Sequence, residues 1–314
     1  MSVWSDLMRG RVGRVGAALL ATMALASCGG DQVDPFRPNR LVVFGDEAST
    51  LASDGTRYTV NPVISSTMNC LSYPIWVQHL AASFGFVFAE CNPSAVATPT
   101  AFMRAQLGAR AADLAGQVDA YLAAGNSFNN KSLVTVFAGA NDIIYQSQQA
   151  LTEAEMVANV EEAARQVAAQ VNRIANADGR VLVLTVPNQG YTPYGRADTT
   201  RSTLLRKLTE AFNLALRDSN DGGIINDGRR IGLVDAWELV RVQVEFPQNF
   251  SPNLSDVQNA VCTDSSVGLG CTANTLVSGG GVTTWLWANI TQLSPIGHQR
   301  LGELADTRAR NNPF

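Results

Sequence analysis

Two short stretches hold the residue types from which an active site could be built. In Leu41-Val42-Val43-Phe44-Gly45-Asp46-Glu47 an apolar run rises into a Gly-Asp pair, and a glutamate follows. In the second, the apolar run 132–137 leads into Gly139-Ala140-Asn141-Asp142. Glycine lets the backbone turn sharply and leaves amide groups exposed. An asparagine beside it can donate its side-chain NH₂ to an oxygen on which negative charge develops. Gly45, Asp46, Gly139, Asn141 and Asp142 are therefore the candidate oxyanion and binding residues. Nucleophilic chemistry also needs a base, and the chain holds two histidines, His79 and His298. His79 falls in an amphipathic stretch, where a surface or core-edge role is the ordinary one. Ser49, two residues beyond Glu47, has no obvious base.

Ligands in open α/β sheets sit beyond the carboxyl ends of the strands, so both stretches must follow strands. Residues 41–44 read as a buried parallel strand, and 86–88, 132–137, 181–186 and 231–234 as further short strands. Helical spacing covers 73–84, with Trp76, Leu80 and Phe84 four apart. It also covers 101–124, with Leu107, Leu114, Val118 and Leu122 on one face. The clearest helix is 153–175, where Val157, Val160, Ala164, Val167, Val171 and Ile174 form the apolar stripe. Its Glu155, Glu161 and Glu162 read as a solvated face rather than a metal or acid–base cluster. Residues 202–217 and 295–308 complete the helices. Ser294-Pro295 opens the last one, with the serine as an N-cap. The Ser-, Asn-, Gly- and Thr-rich stretch 249–281 reads as an irregular excursion. Alternating strands and helices predict an α/β fold, a parallel sheet covered on both faces.

The motifs VVFGD and, about a hundred residues on, FAGANDI resemble those of the GDSL-type (SGNH) hydrolase family of esterases and lipases. VDAYL at 118–122, VPNQGYTP at 186–193, Phe212-Asn213 and Gly232-Leu233-Val234-Asp235 also agree, so the resemblance runs from about residue 40 to about residue 308. It implies a three-layer, flavodoxin-like sandwich with a central parallel sheet. It also implies a serine directly after Gly-Asp, a glycine and the GxND asparagine as oxyanion donors, and an Asp-x-x-His near the C terminus. In such a site the histidine takes the serine proton while the aspartate orients it. Asn141 matches the oxyanion asparagine and Asp142 its neighbour.

The rest departs. Glu47 stands at the serine position, and Glu90-Cys91-Asn92-Pro93-Ser94, after the expected second strand, offers no glycine in register. In the stretch Trp287-Ala288-Asn289-Ile290-Thr291-Gln292-Leu293-Ser294-Pro295-Ile296-Gly297-His298, Asn289 replaces the aspartate and Gln292 the histidine. His298 matches a later, non-catalytic histidine. Three residues before it stands Pro295, and no acid occurs from Ser265 to Gly302, so no register yields Asp-x-x-His. An amide cannot act as a general base near neutral pH.

Ahead of the domain, Arg9, Arg11 and Arg14 precede a short apolar run at 15–26 that ends in Leu25-Ala26-Ser27-Cys28. A basic start, a short apolar core and a small-residue end describe a secretory signal. The ending resembles a bacterial lipobox, which implies cleavage before Cys28 and acylation there. The competing reading is an ordinary signal peptide with a coincidental cysteine. Gly29-Gly30 in place of an aspartate favours the outer membrane, on its periplasmic or cell-surface face. The expected organisation is a signal at 1–27, an acylated cysteine and tether at 28–39, and an SGNH-like domain at 40–314. Lipid chains would hold the protein at a membrane. Cys70, Cys91, Cys262 and Cys271 suggest two disulfides. Proximity favours Cys70–Cys91 and Cys262–Cys271 among three possible pairings. Without Cys-x-x-Cys and with two histidines, a zinc site is weak, and neither a metal nor a cofactor is expected. A formal charge of −4 with no basic run outside the signal disfavours nucleic acid.

These readings lead to a lipid-anchored, non-catalytic protein of this fold that binds an acyl-ester, glycan or protein ligand in a degenerate cleft. The Glu47 carboxylate is expected to accept hydrogen bonds from local amides, Asn141, Asn289 or Gln292, against the plainer case of a side chain in solvent. The alternative is an active ester hydrolase rewired around Glu47 or Ser49. A structural lipoprotein with a meaningless cleft is the third class.

Overall fold

Residues 41–44 lie with no water contact on either side, because the strand they form is central and its two faces are both covered. The structure is a computed structural model and describes residues 36–64, 67–225, 228, 230–264 and 270–311. The expected signal peptide and Cys28 lie outside the described residues. What is described belongs to one compact unit, Phe36–Phe314.

Strand β1 (Arg40–Gly45) is followed by a two-stranded ladder of β2 (Val63–Ile64) and β3 (Thr67–Met68), then α1 (Trp76–Ser83). Next come β4 (Ala101–Met103), α2 (Asp113–Ala123), β5 (Ser132–Phe137), α3 (Ala140–Ser147) and α4 (Glu153–Asn176). Then follow β6 (Arg180–Leu184), α5 (Pro193–Arg196), α6 (Thr199–Arg217), β7 (Ile231–Val234) and α7 (Ala236–Glu245). The chain closes with β8 (Asp256–Ala260), β9 (Trp285–Trp287) and α8 (Pro295–Arg310).

The main sheet has the order β4-β1-β5-β6-β7, with every pair parallel. Side chains alternate across it, as strand geometry requires. Val42, Phe44, Val134 and Val136 pack with α2, α4 and α6 on one face. Leu41, Val43, Leu133 and Phe137 pack with α1, α7 and α8 on the other. This is the three-layer α/β sandwich expected. Helix α4 begins at a capping box, Thr152 with Glu155, and Arg165 pairs Glu162 and Asp221 on its outer side. The glutamates of that helix face away from the core as read.

Three sequence expectations need correction. The strand beside β1 is Ala101–Met103, not 86–88, and Phe88 contributes only isolated bridges, parallel to Ala101 and antiparallel to Cys91. The helix expected over 101–124 is accordingly confined to Asp113–Ala123. Leu107, counted in its apolar stripe, is 57% exposed in the intervening loop. Ser294 does stand at the N-cap of α8, but its hydroxyl makes no capping bond and donates instead to the carbonyl of Trp285.

Both nearest-neighbour disulfides form, with Cα separations of 5.6 Å for Cys70–Cys91 and 5.8 Å for Cys262–Cys271. The second closes a small cluster with Val60, Val261 and Ala288. That cluster anchors the excursion, whose β8 pairs in parallel with β9. Just beyond β9, a bridge between Trp287 and Leu293 and a bond from the Ala288 amide to the Gln292 carbonyl at 2.9 Å shape the loop that carries Asn289 and Gln292.

The turns after β1 and β5 both demand glycine. A Cβ on Gly45 (φ +139°) would lie 2.0 Å from the Phe137 carbonyl oxygen, and one on Gly139 (φ +122°) 2.3 Å from the Phe212 ring. Gly139→Ala is expected to destabilise by more than about 2 kcal/mol, combining overpacking with backbone strain. Gly116→Ala, inside α2 with open space around its Cβ position, is expected to stabilise by about 0.5–1 kcal/mol. Urea midpoints of the two variants against the parent chain check both signs.

Candidate functional site

Gly45 and Phe137 are paired at the ends of β1 and β5, so the loops that follow open at the same edge of the sheet. The end of β1 is held by a side chain. Gln117, buried on α2, accepts from the Gly45 amide at 2.9 Å and donates to its carbonyl at 2.8 Å. It therefore bonds the strand as another strand would. Asp46 follows, its amide donating to Phe137 O at 3.1 Å. Its carboxylate accepts from the Ala48 amide at 3.0 Å and so caps the short 3₁₀ turn Glu47–Ser49. That turn aims Glu47 across the strand ends.

Glu47 is only 5% exposed, and its carboxylate is surrounded by donors. Oε2 accepts from the Gly108 amide at 2.9 Å and from Asn141 Nδ2, also at 2.9 Å. Oε1 accepts from Gln292 Nε2 at 3.3 Å. Of the expected partners, Asn141 and Gln292 are in place and Asn289 is not. Asn289 instead accepts through Oδ1 from the Thr291 and Gln292 amides at 2.9 and 2.8 Å, which fixes the turn that presents Gln292.

Gly108 is the glycine that the sequence reading missed. The loop between β4 and α2 carries it, and with β4 at 101–103 it follows the strand next to β1, the place where an oxyanion glycine is expected. Gly108 N and Asn141 Nδ2 thus form a two-donor cradle, and a carboxylate oxygen of the chain itself lies in it. The signal was present as Leu107-Gly108 but was hidden by extending a helix through it. Gln117 was missed as well; nothing in its sequence neighbourhood marks it.

Ser49 is fully buried and its Oγ accepts from Trp76 Nε1 at 3.2 Å; no imidazole is hydrogen-bonded to it. His298 is buried between α8 and α1, with Nδ1 facing the Trp76 amide at 3.5 Å. Burial pushes its pKa down to about 3, and the neighbouring His79 and Arg57 add repulsion. His79 lies half-buried on α1. Among the described residues no group of three or more His, Cys, Asp or Glu side chains could hold a metal ion. A hollow of about 30 Å³ remains beside the site, between Asp46, Gln189, Trp287, Gln292 and His298.

Two other carboxyls are desolvated here. Asp46 is raised well above its ordinary pKa, first by burial and then by repulsion from Glu47. Asp142 on α3 accepts from the Ala111 amide at 2.9 Å, yet burial raises its pKa to about 6.

The sequence profile of the GDSL-like lipase/acylhydrolase family matches residues 49–253. The chain belongs to this family, and its sheet and helices are those of the SGNH hydrolase fold. Similar solved structures include an acetyl xylan esterase from Geobacillus stearothermophilus, 10% identical with a TM-score of 0.44, covering 88% of this chain and 96% of that one. A lipase/acylhydrolase from Enterococcus faecalis is 17% identical with a TM-score of 0.41, covering 88% and 98%. A lipolytic G-D-S-L protein from Veillonella parvula is 10% identical with a TM-score of 0.40, covering 86% and 95%. Among curated protein sequences none matches.

The pKa shifts fix the sign of each group's contribution to the pH dependence, Asp46, raised by burial, acting in the same direction as Asp142. Asp142 has a folded pKa near 6 against a reference of 3.8, so the folded state holds its proton more tightly and stability falls as pH rises between these values. His298, lowered to about 3 from 6.5, acts oppositely: stability falls as pH drops from 6.5 toward 3. The two partly cancel from about pH 6 to 4. Asp142→Asn keeps an acceptor for Ala111 and removes the Asp142 contribution to that balance. The variant is expected to exceed the parent by on the order of 1–3 kcal/mol at pH 7.5. Its advantage should vanish below about pH 4, and it should lose stability more steeply on acidification. Urea titrations at half-unit pH intervals measure this.

Proposed function

We propose that the protein is a lipid-anchored, non-hydrolytic binding protein built on the SGNH hydrolase fold. The observation that carries this reading is the Glu47 carboxylate at the nucleophile position, filling the cradle of Gly108 N and Asn141 Nδ2. An ester carbonyl has no access to those donors while Glu47 holds them, and neither Asn289 nor Gln292 can take a proton from a nucleophile. Loss of one triad member alone removes several powers of ten in rate.

The filled centre moves ligand binding to its margin. An open groove of about 710 Å³ lies between α5–α6 and the excursion, with Arg196, Thr199, Ser202, Gln258, Asn259 and Ile290 among its lining. Its size suits a small ligand, and its guanidinium, hydroxyl and amide groups suit a polar one of the glycan type. Ile290 lies in the loop between Asn289 and Gln292, and its carbonyl accepts from the Tyr194 amide at 2.9 Å. The groove therefore adjoins the former catalytic loop. The Leu25-Ala26-Ser27-Cys28 ending and Gly29-Gly30 support acylation of Cys28 and an outer-membrane location.

The test is a fluorophosphonate probe read by intact mass, together with hydrolysis of a p-nitrophenyl acetate ester. The parent chain is expected to take no label and to hydrolyse at the background rate. Restoring the three lost groups together, as Glu47→Ser/Asn289→Asp/Gln292→His, is expected to raise hydrolysis at least about a hundredfold. A serine adduct on the parent chain, or parent turnover equal to that of the triple variant, would sink the non-hydrolytic reading.

A further inference from the structure

We propose that the Gly108–Asn141 cradle is a preformed receptor for a short-chain carboxylate, and that Glu47 is its tethered ligand. This goes beyond the absence of hydrolysis, because it assigns a binding capacity to the donors themselves. The parts of the cradle are fixed by bonds in which Glu47 takes no part. In the β4–α2 loop, the Arg104 amide donates to Val43 O at 2.9 Å and the Gln106 amide to Gly45 O at 3.0 Å, tying the segment to β1. The Ala109 amide returns to Gln106 O at 3.3 Å, placing Gly108 within a closed turn.

The other donor is held as firmly. Asn141 Nδ2 also donates to Ala109 O at 3.1 Å, and the neighbouring Asp142 takes the Ala111 amide. Loop and helix are thus locked together on both sides of the cradle. Ile143 N donates to Gly139 O at 3.0 Å, which starts α3 and sets the direction of Asn141.

Removing the Glu47 side chain therefore leaves two aligned N–H donors, the half-buried Asn141 side chain and the amide of Gly108 in its exposed turn, without that acceptor. Those donors lose a charge-assisted hydrogen bond, and a solute carboxylate can restore it. Geometry predicts which one. Glu47→Ala deletes one methylene and the carboxylate, the heavy atoms of acetate. Glu47→Gly deletes one carbon more, the heavy atoms of propionate. In the parent chain the tethered carboxylate has so high an effective concentration that dissolved anions cannot compete.

The experiment uses the full chain in detergent, with melting temperature followed against sodium acetate, sodium propionate and sodium chloride at matched ionic strength. Glu47→Ala is expected to show a saturable rise in melting temperature that is larger with acetate than with propionate. Glu47→Gly is expected to reverse that order, and the parent chain to distinguish neither salt from chloride. Adding Asn141→Ala to Glu47→Ala should weaken acetate binding at least about tenfold. Equal responses of parent and variants, or an acetate response indifferent to Asn141, would overturn the proposal. Should the truncated variants fail to fold in chloride, refolding yield gives the same readout: recovery in acetate supports the receptor, and no difference between the salts overturns it. Neither result depends on whether the parent chain hydrolyses an ester, which the probe and turnover assays decide separately.

Discussion

Three N–H donors from three separate segments converge on one buried carboxylate, and the carboxyl edge of the sheet is organised around that meeting. Gly108 comes from the β4–α2 loop, Asn141 from the first turn of α3 and Gln292 from the loop after β9. A carboxylate taken out of water is costly unless its oxygens are bonded. Here the donors supply what water would have supplied, and Glu47 in return ties the Gln292 loop to the β4–α2 loop and α3, which are already joined to each other through Asn141 and Asp142. The requirement reaches backward into the scaffold. Glu47 points across the strand ends because Gly45 permits a turn that no Cβ could occupy, and because Gln117 holds the end of β1 on both its N–H and its C=O.

The charge around this carboxylate is managed by burial more than by pairing. Asp46 next to it is driven upward in pKa by desolvation first and by Glu47 second. Asp142 is also raised. On the other side, His298 is pushed toward the neutral form. Arg57, fully buried, spends its guanidinium on Cys70 O, Ser72 O and Gln78 Oε1. A hydrolase of this family needs a base free to take a proton at neutral pH. Gln292 directs its amide at Glu47, and the His298 imidazole lies buried with Nδ1 facing the Trp76 amide.

The fold was legible where burial wrote a pattern into the chain. Strands β1, β5, β6 and β7 are short apolar runs because both faces of the sheet are covered, and α4 carries an uninterrupted three-four stripe. The region between β1 and β5 was not legible in the same way. Strand β4 is an edge strand of three residues, Ala101–Met103, too short for a period to show, whereas 86–88 looks more strand-like and makes only isolated bridges at Phe88. Leu107 falls in register with Leu114 and so extends a helix on paper, but it faces water. That single misplacement concealed Gly108 and made the oxyanion site look half lost. At the site, Glu47, Asn141, Asn289 and Gln292 could be named from motif spacing. Which of them touch could not, since bonds spanning 94 and 245 positions leave no trace in local sequence.

On the proposed reading, the residues at the three expected triad positions are physically consistent with one another. With a glutamate in the cradle, a histidine at position 292 would lie beside a carboxylate and be held in its charged form, useless as a base. An aspartate at 289 would add another negative group to an edge that already carries Asp46, Glu47 and Asp142. Asparagine at 289 keeps the acceptor oxygen that the Thr291 and Gln292 amides require while removing the charge. Glutamine at 292 supplies an N–H to Glu47 without bringing a proton that titrates. On the proposed reading, donors of the kind a hydrolase aims at a transient charge are here the permanent partners of a resident one. In this site the electrostatic preorganisation normally directed at a transition state stabilises the ground state of the fold.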